Sequence, residues 1–165
     1  MELQIVNFDD EHVAEVSEIE AVSYRDPWSE NSFHEVRILS DTSWVALADG
    51  EVTGYLITQW VLDEIHILNV AVRPDLRQQG IASKLLDMLF ELAGRRGMRD
   101  VFLEVRVSNT AAHQTYRKFG FSTLATRKCY YPDGEDALVM YRRLESAPDA
   151  PRTALDENIG DEHGH

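Results

Sequence analysis

The 165-residue chain has one cysteine, Cys129, so no disulfide can close within it, and a reducing, cytoplasmic compartment is the simplest expectation. No apolar run approaches the roughly 20 residues that cross a bilayer. The acidic start, MELQIVNFDDEH, lacks the basic flank and apolar stretch of a signal peptide. Positive charge is scarce: 16 Lys and Arg stand against 29 Asp and Glu, a net charge of −13. A nucleic-acid binder would usually carry a basic stripe, so no direct nucleic-acid contact is expected. His12, His34, His66 and His113 follow no metal-ligand spacing, and His163 and His165 lie near the end, so no metal site is expected either. Neither GxxxxGKS/T nor GxGxxG occurs, and no internal repeat is found.

What is present reads as one domain, residues 1–145, followed by a tail, 146–165, that is rich in Pro, Ala and acid and shows no periodicity. Such a composition predicts disorder. The tail accounts for only part of the negative charge, so the body is acidic too. That serves solubility, and it also favours the approach of cationic substrates such as a basic peptide or a polyamine.

Leu3, Ile5 and Phe8 mark a first strand, after which Val13, Val16, Ile19, Glu20 and Ser23 advance at helical spacing from a cap at Asp9 or Asp10. A second helix, capped near Ser29, runs through Phe33, Val36, Ile38 and Leu39. Between the two lies YRDPW, whose Trp28 is either a core plug or the wall of a groove. Trp44 to Ala48 and Val52 to Leu62 form a hairpin around Asp49-Gly50, and Ile65 to Arg73 adds a strand. A long amphipathic helix follows, built on Leu85, Leu86, Leu89, Phe90, Leu92 and Ala93, with Gly94 and Gly97 as its stop. Then come a strand at 101–106, a helix from Asn109 to Phe119, and a last hairpin of 121–131 with 137–143 around Pro132-Asp133-Gly134. The expected class is α/β, with a mixed, largely antiparallel sheet flanked by about four helices.

The organising stretch, Ile67 to Phe121, holds a strand, a turn, a long helix, a second strand and a second helix. The turn, Arg77-Gln78-Gln79-Gly80-Ile81-Ala82-Ser83, opens directly into the helix. The first N–H groups of a helix lack internal partners and sit at the positive end of its dipole, so they suit a phosphate. Gly80 and Ala82 let an anion come close, and Arg77 and Ser83 offer a charge and a hydroxyl. An ordinary strand-to-helix turn built of small residues reads the same way.

Arg77 to Ala82 resembles the R/Q-x-x-G-x-G/A pyrophosphate loop of the GNAT superfamily of N-acetyltransferases, and NVAVRPD before it is similar to that family's fourth strand. PWSENSF, LEVRVSNTAAHQTYRKFGF and KCYYPDGEDALVMYRRL extend the resemblance over roughly Leu3 to Leu144, in the pattern of the RimI type. The resemblance implies a single-domain GNAT fold and an enzyme that transfers acetyl from acetyl-CoA to the N-terminal alanine of a small-subunit ribosomal protein. Acetyl-CoA is the co-substrate, and no metal is implied. Val70, Ala71 and Val72, Arg77 to Ser83 (Gln78, Gln79, Gly80, Ile81 and Ala82 between them) and Asn109 would bind it. The pantetheine arm would lie along the strand, where a backbone N–H between Asn69 and Val72 meets the acetyl oxygen. Trp28, Tyr130, Tyr131 and Asp136 would border the acceptor peptide. Family members carry Asn where this chain has Cys129, a departure without evident catalytic consequence.

Glu104 interrupts an apolar strand, where a carboxylate must be wet, paired or useful. Pairing with Arg106 two residues along would satisfy it; the resemblance makes it the proton acceptor. Tyr116 reads by itself as a packed core tyrosine, and by resemblance as the acid that protonates the departing thiolate. Direct attack in a ternary complex is expected, with Cys129 no nucleophile, by a monomer or weak dimer. The alternatives are the same fold acting on a lysine side chain, polyamine or drug amine, and an acyl-CoA-binding module without catalysis.

Overall fold

The computed structural model describes residues 2–39 and 41–144. The tail expected to be disordered, 146–165, lies outside them. The elements run β1 (Leu3–Asn7), α1 (Val13–Ser23), α2 (Glu30–Leu39), β2 (Trp44–Ala48), β3 (Glu51–Val61), β4 (Glu64–Val72), α3 (Ile81–Arg95), β5 (Asp100–Arg106), α4 (Thr110–Lys118), β6 (Ser122–Arg127) and β7 (Ala137–Arg143), with short 3-10 turns at Asp10–His12 and Pro74–Leu76.

One sheet carries all seven strands in the order β1-β2-β3-β4-β5-β7-β6. Every pairing is antiparallel except β4 with β5, which α3 connects by a crossover, so the sheet is mixed as the sequence predicts. Helices cover both faces, which explains why the central strands are almost wholly apolar. On one face α3 inserts Ile81, Leu85, Leu86, Leu89 and Ala93 against Leu56, Ile65, Ile67, Val101, Leu103 and Met140. On the other, Val13, Val16 and Ile19 of α1 and Phe33 of α2 meet Val45, Tyr55 and Ile57. Strand alternation divides neighbouring residues between these layers: Leu56 joins the first, Tyr55 and Ile57 the second.

Two local details differ from the sequence reading. Gly94 lies inside α3, and the left-handed turn after the helix belongs to Gly97 alone (φ 67°). The last hairpin is shorter than expected, because β6 ends at Arg127 and residues 128–136 form a loop. Cys129, at φ 52°, leaves the strand conformation, and its N–H donates to the Asp136 carboxylate at 2.8 Å, which ends the ladder.

Candidate active site

β4 and β5 pair only from Glu64↔Asp100 to Ile67↔Leu103 and then part. The parting has a local cause. β4 pairs Ile57↔Asn69 and Thr58↔Ile67 with β3, leaving Leu68 as an unpaired bulge residue, and a bulge bends and twists its strand. β5 meanwhile continues along β7 to Arg106↔Ala137. A notch therefore opens in the middle of the sheet, with the β4 edge from 68 to 72 on one side. Glu104 is the first β5 residue beyond the last pair.

The notch edge of β4 already receives side chains. The Tyr24 hydroxyl, at the end of α1, donates to the Val70 carbonyl at 2.5 Å, and Arg77 Nε donates to the Val72 carbonyl at 3.1 Å while its Nη2 reaches Ser23 Oγ at 3.2 Å. Arg77, expected to face an anion, thus also ties β4 to α1. Tyr24 was in the sequence as part of YRDPW without an assigned role; nothing short of the fold places it beside Val70.

Below the notch, Gln78 (φ 64°) and Gly80 (φ 82°) both take left-handed backbone before α3 begins. Alternating backbone of this kind gathers successive N–H groups toward one point. A Cβ at Gly80 would meet nothing within 4 Å, so the approach is open, and the first turn of α3 carries no acidic residue. Gln78, Gln79 and Gly80 are exposed, whereas Ile81 is buried in the core and fixes the helix start. These residues fit a diphosphate. Ser83 sits in that first turn, partly buried. Asn109 caps α4, its Oδ1 accepting from Ala112 N at 3.2 Å, which leaves its amide NH₂ for a ligand.

Glu104 lies on the face of β5 opposite the α3 layer, a quarter exposed, with Oε1 3.3 Å from Arg127 Nη1. The Glu104–Arg106 pairing that the strand pattern offers is not made. Arg106 turns instead to Asp26 of the α1–α2 loop (2.7 Å) and to Asp133 and Glu135 of the β6–β7 loop (2.8 Å each), and its guanidinium covers the Tyr131 ring. Asp133 and Glu135 are held below the usual carboxylate range. For Asp133 the Glu135 backbone N–H is the main cause; for Glu135, lowered to about 2, hydrogen bonds from Ser108 and then Arg106.

Tyr116 packs edge-on against Phe121 in the α3 layer, and no hydrogen bond holds its hydroxyl among the described residues. Burial raises its pKa, and Tyr24 and Tyr131 add to the rise. Tyr131 is pushed up to about 12 by burial, and the Glu104 charge contributes. Tyr130 stands edge-on to Tyr131 at 5.0 Å and lies under Arg127. Trp28 is partly buried against Phe33 at 5.3 Å, the packing expected of a core plug, and lies in the same loop as Asp26, which Arg106 holds. Asp136 is a loop-former, bonded to Cys129 N and, through its carbonyl, to Val107 N. No group of His, Cys, Asp and Glu among the described residues is arranged to hold a metal.

Comparison with known proteins follows the same stretch. Residues 13–121 match the model of the acetyltransferase (GNAT) family. The chain is 38% identical over 125 residues to the ribosomal protein bS18-alanine N-acetyltransferase of Escherichia coli K12, covering 74% of this chain and 84% of that one. The crystal structure of the E. coli ribosomal-protein-S18-alanine N-acetyltransferase superposes with a TM-score of 0.82 at 32% identity, over 92% of this chain and all of that one. Ard1 from Thermoplasma volcanium gives 0.85 at 26% identity, over 88% of this chain and all of its own.

Proposed function

The chain belongs to the acetyltransferase (GNAT) family, and from that premise we propose that its acceptor is the N-terminal alanine of a small-subunit ribosomal protein. It is an acetyl-CoA-dependent N-acetyltransferase. The observation that carries the reading is the notch: β4 and β5 separate after Ile67 and Leu103, and Glu104 is the first side chain past the separation. The relatives named for bS18 alanine acetylation support the choice of acceptor.

Acetyl-CoA lies with its diphosphate on the N–H groups of residues 78–83 and its pantetheine arm along Val70, Ala71 and Val72, which supplies an activated acetyl group at the notch. A peptide α-amine has a reference pKa of about 7.7 to 8.0, so a carboxylate reached directly or through water has only a modest deprotonation to achieve. Glu104 takes that proton. The neutral amine attacks the acetyl carbon directly, and a backbone N–H of β4 between residues 69 and 72 meets the charge that develops on the carbonyl oxygen. As the C–S bond breaks, Tyr116, kept protonated by burial, gives its O–H proton to the departing thiolate, the second proton of the nitrogen restores the phenol, and Glu104 sheds the first to solvent. Tyr130, Tyr131 and Trp28 form the acceptor walls, and the whole runs in the cytoplasm without an acetyl-enzyme.

The test offers acetyl-CoA with a peptide beginning in alanine, the same peptide blocked at its N-terminus but with free lysines, and a polyamine. Fragment masses locate the acetyl group. Modification of the α-amine of the first peptide alone is expected; preference for lysine or polyamine overturns the acceptor assignment.

A further inference from the structure

α1 carries a carboxylate where its apolar stripe calls for a hydrocarbon. Its buried residues are Val13, Val16, Ile19 and Glu20, and Glu20 is 0% exposed. It forms no ion pair among the described residues. Its two oxygens accept from Asn69 Nδ2 at 2.7 and 2.8 Å, and one also from the Tyr55 hydroxyl at 3.2 Å. A buried carboxylate without a cation is a poor source of stability, and an apolar residue of the same size would usually do as well or better.

What such a group can do is choose between packings. Asn69 directly follows the bulge residue Leu68. Losing the bulge, so that Leu68 rather than Asn69 pairs with Ile57, would slip the register by one and turn each following β4 side chain to the opposite face. Both faces are covered by helices, and Leu68, Val70, Ala71 and Val72 are apolar, so hydrophobicity alone does not decide between the two settings. Asn69 does decide, because only in the observed setting does its amide reach Glu20.

We infer that Glu20 and Asn69 form a register lock that fixes the bulge at Leu68 and aims the backbone of residues 70–72 into the notch. Glu20 is thus a positioning residue for acetyl transfer, acting through Asn69. The inference rests on the proposed reading of the notch as the acetyl-CoA site.

Asn69 Oδ1 has no partner, which makes the lock separable from the charge. Glu20→Gln removes the charge and keeps Oε1 as acceptor for Asn69 Nδ2 and the Tyr55 hydroxyl. Glu20→Leu with Asn69→Val removes both partners together. CoA affinity by calorimetry, turnover, thermal unfolding and amide hydrogen exchange are compared. Glu20→Gln should stay within about threefold of the parent in affinity and kcat. The double variant should unfold within a few degrees of the parent, yet bind CoA about tenfold more weakly, lose at least about tenfold in kcat, and exchange the amides of residues 68–72 faster. Asn69→Val alone should show the same losses if the double variant does not fold. Parent-like affinity and turnover in these variants overturns the lock, and so does an equal loss in Glu20→Gln, which would make the charge the active feature. Calorimetry needs no acceptor, so a parent inactive on every amine would defeat the proposed reaction and leave this comparison intact.

Discussion

The Arg106 guanidinium lies 4.1 Å from the centre of the Tyr131 ring, in cation–π contact, while its nitrogens hold Asp26 on one loop and Asp133 and Glu135 on another. One side chain therefore ties the two loops proposed to border the acceptor, and it reaches none of the groups fitted to acetyl-CoA. Arg106→Met should release both loops and leave three carboxylates repelling one another. The expected result is a rise in KM for the acceptor peptide of about tenfold, worth ~1.4 kcal/mol, with CoA affinity unchanged. Steady-state kinetics with an alanine-starting peptide checks it, and an unchanged KM removes the latch.

The same cluster fixes an acid limb of stability. Asp133 and Glu135 have folded-state pKa values below their ordinary ones, Glu135 near 2. A depressed carboxylate contributes stability in full above its unfolded pKa of about 3.9 to 4.3 and loses it as pH falls toward the folded value. Thermal unfolding should therefore show no dependence on this cluster above about pH 5 and a falling midpoint from about pH 4.5 down to about 2. Glu135→Gln should flatten part of that fall; a variant with the parent's acid limb would assign it elsewhere.

Much of this was legible in the sequence because it is local. The alternation of Val101, Leu103 and Val105 placed Glu104 and Arg106 on one face, helical spacing fixed α3, and Gly80 marked the turn before it. What was not legible depends on distant contacts. Arg106 and Asp26 are 80 residues apart, Glu20 and Asn69 are 49 apart, and no period in the chain connects them. The short β6 was missed for the same reason, since Cys129 and Asp136 end the hairpin through a side-chain bond that strand propensity does not encode.

In the proposed reaction Glu104 and Tyr116 act at different moments, and their substitutions should separate. Glu104→Gln removes the proton acceptor and should lower kcat by roughly 10²- to 10⁴-fold, the usual worth of a general base, with CoA binding barely changed. It also frees Arg127, whose contact with Glu104 is an exposed pair worth at most about 1 kcal/mol, so stability should hardly move. Tyr116→Phe keeps the packing against Phe121 and removes only the hydroxyl, so a loss of kcat with an unchanged melting temperature is expected. A Tyr116→Phe enzyme with parent turnover would return the residue to the core.

Gln79 tests the anion site without touching the chemistry. It is exposed, lies between the two left-handed residues of the turn, and faces a helix start that has no acidic neighbour in its first turn. Gln79→Glu introduces one negative charge at the proposed diphosphate site, where N–H groups and a helix dipole favour an anion. At low ionic strength that should weaken CoA binding by about five- to tenfold, in line with the ~1 kcal/mol scale of charge–dipole effects at helix ends. Salt screens such an interaction, so the penalty should shrink toward the parent value near 1 M salt, where the screening length is about 3 Å. Calorimetric titration of CoA at both ionic strengths decides it. A penalty absent at low salt would place the diphosphate away from this turn, and one that persists at high salt would mean that the substitution acts through shape rather than charge.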